Sequence, residues 1–126
     1  MVTNTGPLRV VIAEDSLVDA ELATRALKRH GILADVIVAM SEPEFRNALN
    51  AATPDIIISD YSMLTMDGKA AYVIAQELAP SVPFIFLSGS VFRLAAGSEH
   101  ADGATACLDK REMDRLGQVV AKALNL

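Results

Sequence analysis

Apolar residues gather along this chain in five short runs: "LRVVIA" (8 to 13), "ADVIVA" (34 to 39), "DIIIS" (55 to 59), "PFIFLS" (83 to 88) and "ATACL" (104 to 108). Each has the length of a β-strand. Between them lie amphipathic segments at 16 to 30, with Val18, Leu22 and Ala26 spaced by four, at 70 to 79, with Ala70, Ile74 and Leu78, and at 112 to 124, with Met113, Leu116 and Val120. That spacing predicts helices. Ser16 with Asp19, and Ser41 with Glu44, fit the capping-box pattern that opens a helix. A fourth candidate helix, about 91 to 101, is the weakest, because its apolar period is poor and Gly97 inside it costs ~1 kcal/mol relative to alanine. Alternating strand and helix calls for a parallel sheet covered on both faces, and the uniformly apolar strands suit that burial.

Length and composition add bounds. With 126 residues, 52% of them hydrophobic, and only five prolines, the chain is read as one domain spanning 1–126 with a core from about 8 to 125. No apolar run approaches the ~18 residues of a membrane span, and the first residues lack a signal-peptide pattern, so the expected location is cytoplasmic. Cys107 is the only cysteine, which rules out an intrachain disulfide. A net charge of −5 with scattered basic residues predicts no direct nucleic-acid binding.

Ligands of an open parallel sheet bind beyond the carboxyl ends of its strands. Glu14 and Asp15 follow the first strand, Asp60 ends the third, Ser88 ends the fourth and Lys110 follows the fifth. One such acid would pass as a turn or helix cap, but this group at one edge is harder to read as structural. Converging carboxylates repel, and a divalent cation relieves them. An all-oxygen set without Cys or His suits Mg²⁺. A metal, a lysine and a hydroxyl around an exposed carboxylate meet the needs of phosphoryl transfer, with Asp60 as the nucleophile that becomes an acyl phosphate.

The segments "VVIAEDS", "PDIIISDYSMLTMDG", "PFIFLSGS" and "GATACLDK" closely resemble the receiver domains of two-component response regulators, in order and spacing, over nearly the whole chain. The resemblance implies a single (βα)5 flavodoxin-like fold, a doubly wound parallel sheet of order 2-1-3-4-5. It makes Asp60 the phosphoacceptor and assigns Mg²⁺ to Glu14, Asp15, Asp60 and the backbone carbonyl of Ser62. Ser88 becomes the hydroxyl that contacts the phosphoryl group, and Lys110 pairs with that group. Asp67-Gly68 would close the active-site loop and start the next helix.

Several positions depart from the family pattern. Cys107 stands where many receivers carry the Tyr or Phe whose ring turns inward on activation, so coupling from Ser88 to the output face is expected to be altered. Arg111 replaces the common Pro after the lysine, which predicts a trans Lys110–Arg111 peptide, since a cis bond would cost ~3 kcal/mol. Leu64 also replaces a common Pro, suggesting a looser loop. Ser62 and Ser90 occupy the places that tune loss of the phosphoryl group; both are small and uncharged.

The resemblance implies a histidine kinase or histidine phosphotransfer protein as phosphoryl donor, with the face of the fourth helix, fifth strand and fifth helix as the part that switches. The domain would catalyse only its own phosphorylation and dephosphorylation. The ending "CLDKREMDRLGQVVAKAL" looks like receivers attached to sensor kinases, so a place within a hybrid kinase is open. A monomer or weak dimer is expected, with Phe92 and Leu94 near the family's dimer face. Three other readings stand beside this one. A haloacid-dehalogenase-type phosphohydrolase would need an acid at position 62 and a nucleophile after the first strand. A flavodoxin-like flavin binder would need a phosphate loop after the first strand. A phosphate-independent interaction module would leave the acidic set unused. His30 and His100 lack metal-ligand spacing and read as solvated, "KRH" at 28 to 30 as a basic helix end, Met63 and Met66 as gap-fillers or a partner-facing patch, and "DKREMDR" at 109 to 115, apart from Lys110, as a solvated helix start.

Overall fold

In a computed structural model, which describes residues 6–89 and 104–126, β1 (Leu8–Ala13), β2 (Ala34–Ala39), β3 (Ile56–Asp60), β4 (Phe84–Ser88) and β5 (Ala106–Asp109) form one parallel sheet. Its order is β2-β1-β3-β4-β5, as the resemblance implied. The central strands are apolar enough to lie between two layers of helix. Ile56, Ile57 and Ile58 are fully buried, and burying each contributes about 1.5–3 kcal/mol. Helix α1 (Leu17–Arg29) packs with the C-terminal helix (Leu116–Leu124) on one face, where Val10, Ile12, Ile58, Ile85 and Val120 form an aliphatic core. Helices α2 (Glu42–Ala51) and α3 (Gly68–Leu78) cover the other face, around Phe45, Ile57, Phe84 and Phe86. The candidate helix at 91 to 101, with Gly97, Phe92, Leu94 and His100, lies outside the described residues, as does Ser90.

The strands match the apolar runs to within a residue or two, but β2 is not covered on both sides. It is an edge strand, its exposure alternates, and Ile37 is exposed. The stripe predicted for α1 also needs correction. Val18 and Leu22 face outward; Ala26 is buried as expected, but the residues that join it on the buried face are Ala20, Ala23 and Leu27. A spacing of four overshoots the 3.6-residue turn at every step, whereas steps of three and four from Ala20 to Ala23 and Leu27 hold one face. The small alanines there let α1 lie close to the strands. Both serine caps form: Ser16 accepts from the Asp19 N–H and Ser41 from the Glu44 N–H. The reciprocal halves of the two boxes differ from expectation, because Glu44 reaches back to the Met40 N–H and Asp19 turns to Lys110.

The segment predicted as one helix from 112 begins instead as a 3-10 stretch, Lys110–Arg115, and Glu112 (φ −110°, ψ 35°) interrupts it before the α-helix proper. Arg111, Glu112, Asp114 and Arg115 line a start that is largely solvated, as expected, but Asp109 is buried. His30 is exposed and lies at the carboxyl end of α1, after Lys28 and Arg29. No described helix is long and apolar enough to cross a membrane.

Candidate functional site

Strand order reverses between β1 and β3, and the polar residues converge beyond the carboxyl ends of those strands. Ala13 pairs with Ser59 in register, so the next residues, Glu14 and Asp60, lie side by side. The Glu14 N–H continues the ladder to the Ala39 carbonyl, and the Tyr61 N–H continues it to the Leu87 carbonyl. The acid-bearing backbone is thereby held on both flanks by neighbouring strands. Glu14, Asp15 and Asp60 can place one carboxylate oxygen each within 4.8 Å of one another. Glu14 and Asp60 are nearly buried, at 2% and 6% exposure.

Lys110 enters this cluster from the end of β5. Its Nζ lies 2.8 Å from Asp19 Oδ2, 3.0 Å from Glu14 Oε1 and 3.4 Å from Asp60 Oδ2. Asp60 Oδ1 accepts the Ser62 N–H at 3.3 Å, and Glu14 Oε2 accepts the Ser16 N–H at 3.1 Å. Ser88 is buried at the end of β4, next to β5, with Asp109 opposite it in register. The structure therefore gathers Glu14, Asp15, Asp60 and Lys110 at the edge where sequence reasoning placed them. That reasoning missed Asp19, whose capping role hid its use as the lysine's nearest acceptor.

The loop after β3 is fastened at several points. The Leu64 N–H donates to Asp15 Oδ2 at 2.7 Å, a bond that proline could not make, so the leucine read as a loosening residue ties the loop to the acidic cluster. Thr65 donates to the Met40 carbonyl, and the Gly68 N–H to the Tyr61 carbonyl. Asp67 caps α3 through the Lys69 N–H, which agrees with the expected end of the loop. Met66 is buried and Met63 packs partly against the core, while the Leu64 side chain is fully exposed. No peptide bond among the described residues is cis, so Lys110–Arg111 is trans as predicted.

The setting shifts the charges of the site. Desolvation raises the Glu14 pKa above the ordinary 4.5 and the Asp60 pKa above 3.8, against the lowering effect of Lys110. Burial alone would lower the Lys110 pKa, but its hydrogen bonds to Asp19 and Glu14 and the charge of Asp60 raise it, so the ammonium stays charged. Carboxylates with raised folded pKa values bind protons more tightly folded than unfolded. Stability from Glu14 and Asp60 is accordingly greatest at low pH and falls as pH rises from their ordinary values through the raised ones. In denaturant titrations without divalent cation, this decline should be shallower in Glu14→Gln than in the unaltered chain. Equal slopes would show that Glu14 does not carry the dependence. Mg²⁺ affinity should rise over the same window, because only the ionised acids can hold a cation.

The donor set fits Mg²⁺ on the chain's own chemistry. Clustered carboxylate oxygens, with no Cys or His among them, face one lysine, and an added divalent cation would balance the excess negative charge.

Comparison with known proteins agrees with this geometry. The family model for the response regulator receiver domain matches residues 10–121. The DNA-binding transcriptional regulator NtrC of Proteus hauseri is 31% identical over 100 residues, 79% of this chain and 20% of that protein, so the chain spans about a fifth of this relative's length. The receiver domain of a sensor histidine kinase from Pseudomonas aeruginosa, solved with magnesium coordinated in its active-site cleft, superposes with a TM-score of 0.80 at 17% identity, covering 96% of this chain and 100% of that one. The signal receiver domain of an HD domain-containing protein from Pseudomonas fluorescens gives 0.81 at 19% identity, covering 99% and 92%.

Proposed function

The chain belongs to the response regulator receiver domain family, and we propose that it forms a single receiver domain that accepts a phosphoryl group on Asp60 from a phosphohistidine donor. The observation that carries this reading is the placement of Asp60: at the end of a buried strand, clustered with Glu14 and Asp15, and 3.4 Å from the Lys110 ammonium. An Asp60 oxygen attacks phosphorus while the bond from phosphorus to the donor's imidazole nitrogen breaks, and the departing imidazole takes its proton from solvent. Lys110 neutralises charge on the transferred oxygens, and the Ser88 hydroxyl lies at the neighbouring strand end to meet one of them. Glu14, Asp15, Asp60 and the Ser62 carbonyl would hold Mg²⁺, which supplies further charge neutralisation at the phosphoryl oxygens.

On this reading the domain catalyses only its own phosphorylation and the hydrolysis that reverses it. Its partners are a histidine kinase or a histidine phosphotransfer protein, in the cytoplasm. Ser62 leaves one side of the phosphate open to water, because its side chain is small and exposed. Ser90 is assigned the same role by position. Cys107, on β5, sits partly buried beside Phe86 of β4, and because a thiol cannot swing inward as a ring does, coupling from Ser88 to the output face is altered.

Intact-protein mass after incubation with acetyl phosphate tests the reading. A single Mg²⁺-dependent phosphoryl addition is expected, absent in Asp60→Asn. The substitution should also stabilise the Mg²⁺-free fold by about 0.5–2 kcal/mol, because it removes one charge from a crowded site. No addition to a folded, Mg²⁺-binding domain would overturn the phosphoacceptor reading and favour a phosphate-independent module. Mg²⁺ binding itself can be followed by tyrosine emission, since Tyr61 adjoins Asp60.

A further inference from the structure

Asp109 is a buried carboxylate that the proposed chemistry does not use. It is 4% exposed, at the last position of β5 and opposite Ser88, outside the acidic cluster. Arg111 meets both of its oxygens. The Arg111 backbone N–H donates to Oδ1 at 2.8 Å, Nε lies 3.1 Å from Oδ1 and 3.0 Å from Oδ2, and Nη2 also donates to Oδ2. The Arg111 side chain as a whole is mostly solvent-exposed, at 77%.

The pair satisfies its own charges: hydrogen bonds from Arg111 hold the Asp109 carboxyl below the usual carboxylate range against the smaller effect of burial, and Asp109 caps the start of the 3-10 stretch. Its location gives it a further use. The residue it straddles is Lys110, whose peptide to Arg111 is trans and whose side chain must reach across to Glu14, Asp19 and Asp60.

We propose that Asp109 and Arg111 are positioning residues for Lys110. The carboxylate closes a ring over the Lys110 backbone, from the end of β5 to the Arg111 N–H, and the guanidinium holds that carboxylate in place from outside. The direction in which Lys110 leaves the strand is thus set before any phosphoryl group arrives. This rests on the reading that Lys110 acts at Asp60, and it adds a pair that touches neither metal nor phosphate.

Arg111 is exposed, so replacing it should leave the domain folded. Arg111→Ala is expected to slow phosphorylation by acetyl phosphate about tenfold, in line with the rate cost of a misplaced group, while Mg²⁺ affinity stays within about twofold. The same change made in a Lys110→Ala background should cost nothing more, because the residue it positions is gone. Arg111→Lys should restore only part of the rate, since an ammonium cannot reproduce the forked contact. An equal loss in the Lys110→Ala background, or no loss in the unaltered one, would overturn the proposal. A second readout needs no phosphorylation: the Lys110 ammonium signal in proton–nitrogen correlation spectra should shift or broaden in Arg111→Ala. If the unaltered chain takes no phosphate, the phosphoacceptor reading fails while this signal still decides the positioning role; an unchanged signal sinks it.

Discussion

Lys110→Ala is expected to slow phosphoryl capture at Asp60 by about a hundredfold or more. Removing one preorganised charge donor from a transfer site typically costs that much. Lys110 is also the cation shared by Asp19, Glu14 and Asp60, so its loss leaves two nearly buried carboxylates without their counter-charge. Its side chain is 20% exposed, which sets it between a surface pair and a buried one, and the Mg²⁺-free fold should lose about 2 kcal/mol. Mg²⁺ should then stabilise the variant more than it stabilises the unaltered domain, because metal no longer competes with the ammonium for the same oxygens. Phosphorylation rates combined with thermal unfolding at several Mg²⁺ concentrations would test this. A rate within about twofold of the unaltered chain would remove Lys110 from the site.

The second large effect comes from a backbone contact. A Cβ at Gly68 would lie 2.5 Å from the Tyr61 carbonyl oxygen, 2.7 Å from its Cα and 2.9 Å from its carbonyl carbon. All three are main-chain atoms, which cannot swing aside as a side-chain tip can. Glycine to alanine at an ordinary helix position gains up to about 1 kcal/mol. Here Gly68→Ala should destabilise by about 2–3 kcal/mol, the cost of overpacking a tight site. The clash falls on the residue after Asp60, so the phosphoacceptor moves with it, and phosphorylation should slow by about tenfold or more. Urea unfolding and the acetyl phosphate rate together check both effects. Unchanged stability would mean that the approach of α3 to β3 relaxes freely.

The central strands were legible because they are buried on both faces, so their apolar runs need no periodicity to stand out. Glu14, Asp15, Asp60 and Lys110 were legible for a related reason: each adjoins the carboxyl end of a strand, and a parallel sheet gathers those ends. What was not legible depended on three-dimensional neighbours. The face that α1 turns inward is set by small alanines, which carry a weaker apolar signal than Val18 and Leu22. Asp19 lies 91 residues from Lys110, and its local capping partner explained it too easily. Asp109 looked like one member of an alternating charge run, because sequence alone does not say that the last position of β5 is covered. A carboxylate ending an apolar strand, with an arginine two residues on, was the available signal. Leu64 was judged by the proline it lacks, although the structure uses the N–H it supplies.

The two faces of the sheet differ in a way that decides what optical probes report. Phe45, Phe84 and Phe86 belong to the core beneath α2 and α3, and Tyr61 and Tyr72 pack against that same core in edge-to-face contacts with Phe84 and Phe86. The core beneath α1 and the C-terminal helix is wholly aliphatic among the described residues, and the chain has no tryptophan. Tyrosine emission therefore watches one half of the molecule. Loosening of α1 or of the C-terminal helix would be silent to it, and a two-state curve from this signal would need amide exchange to show that both halves melt together.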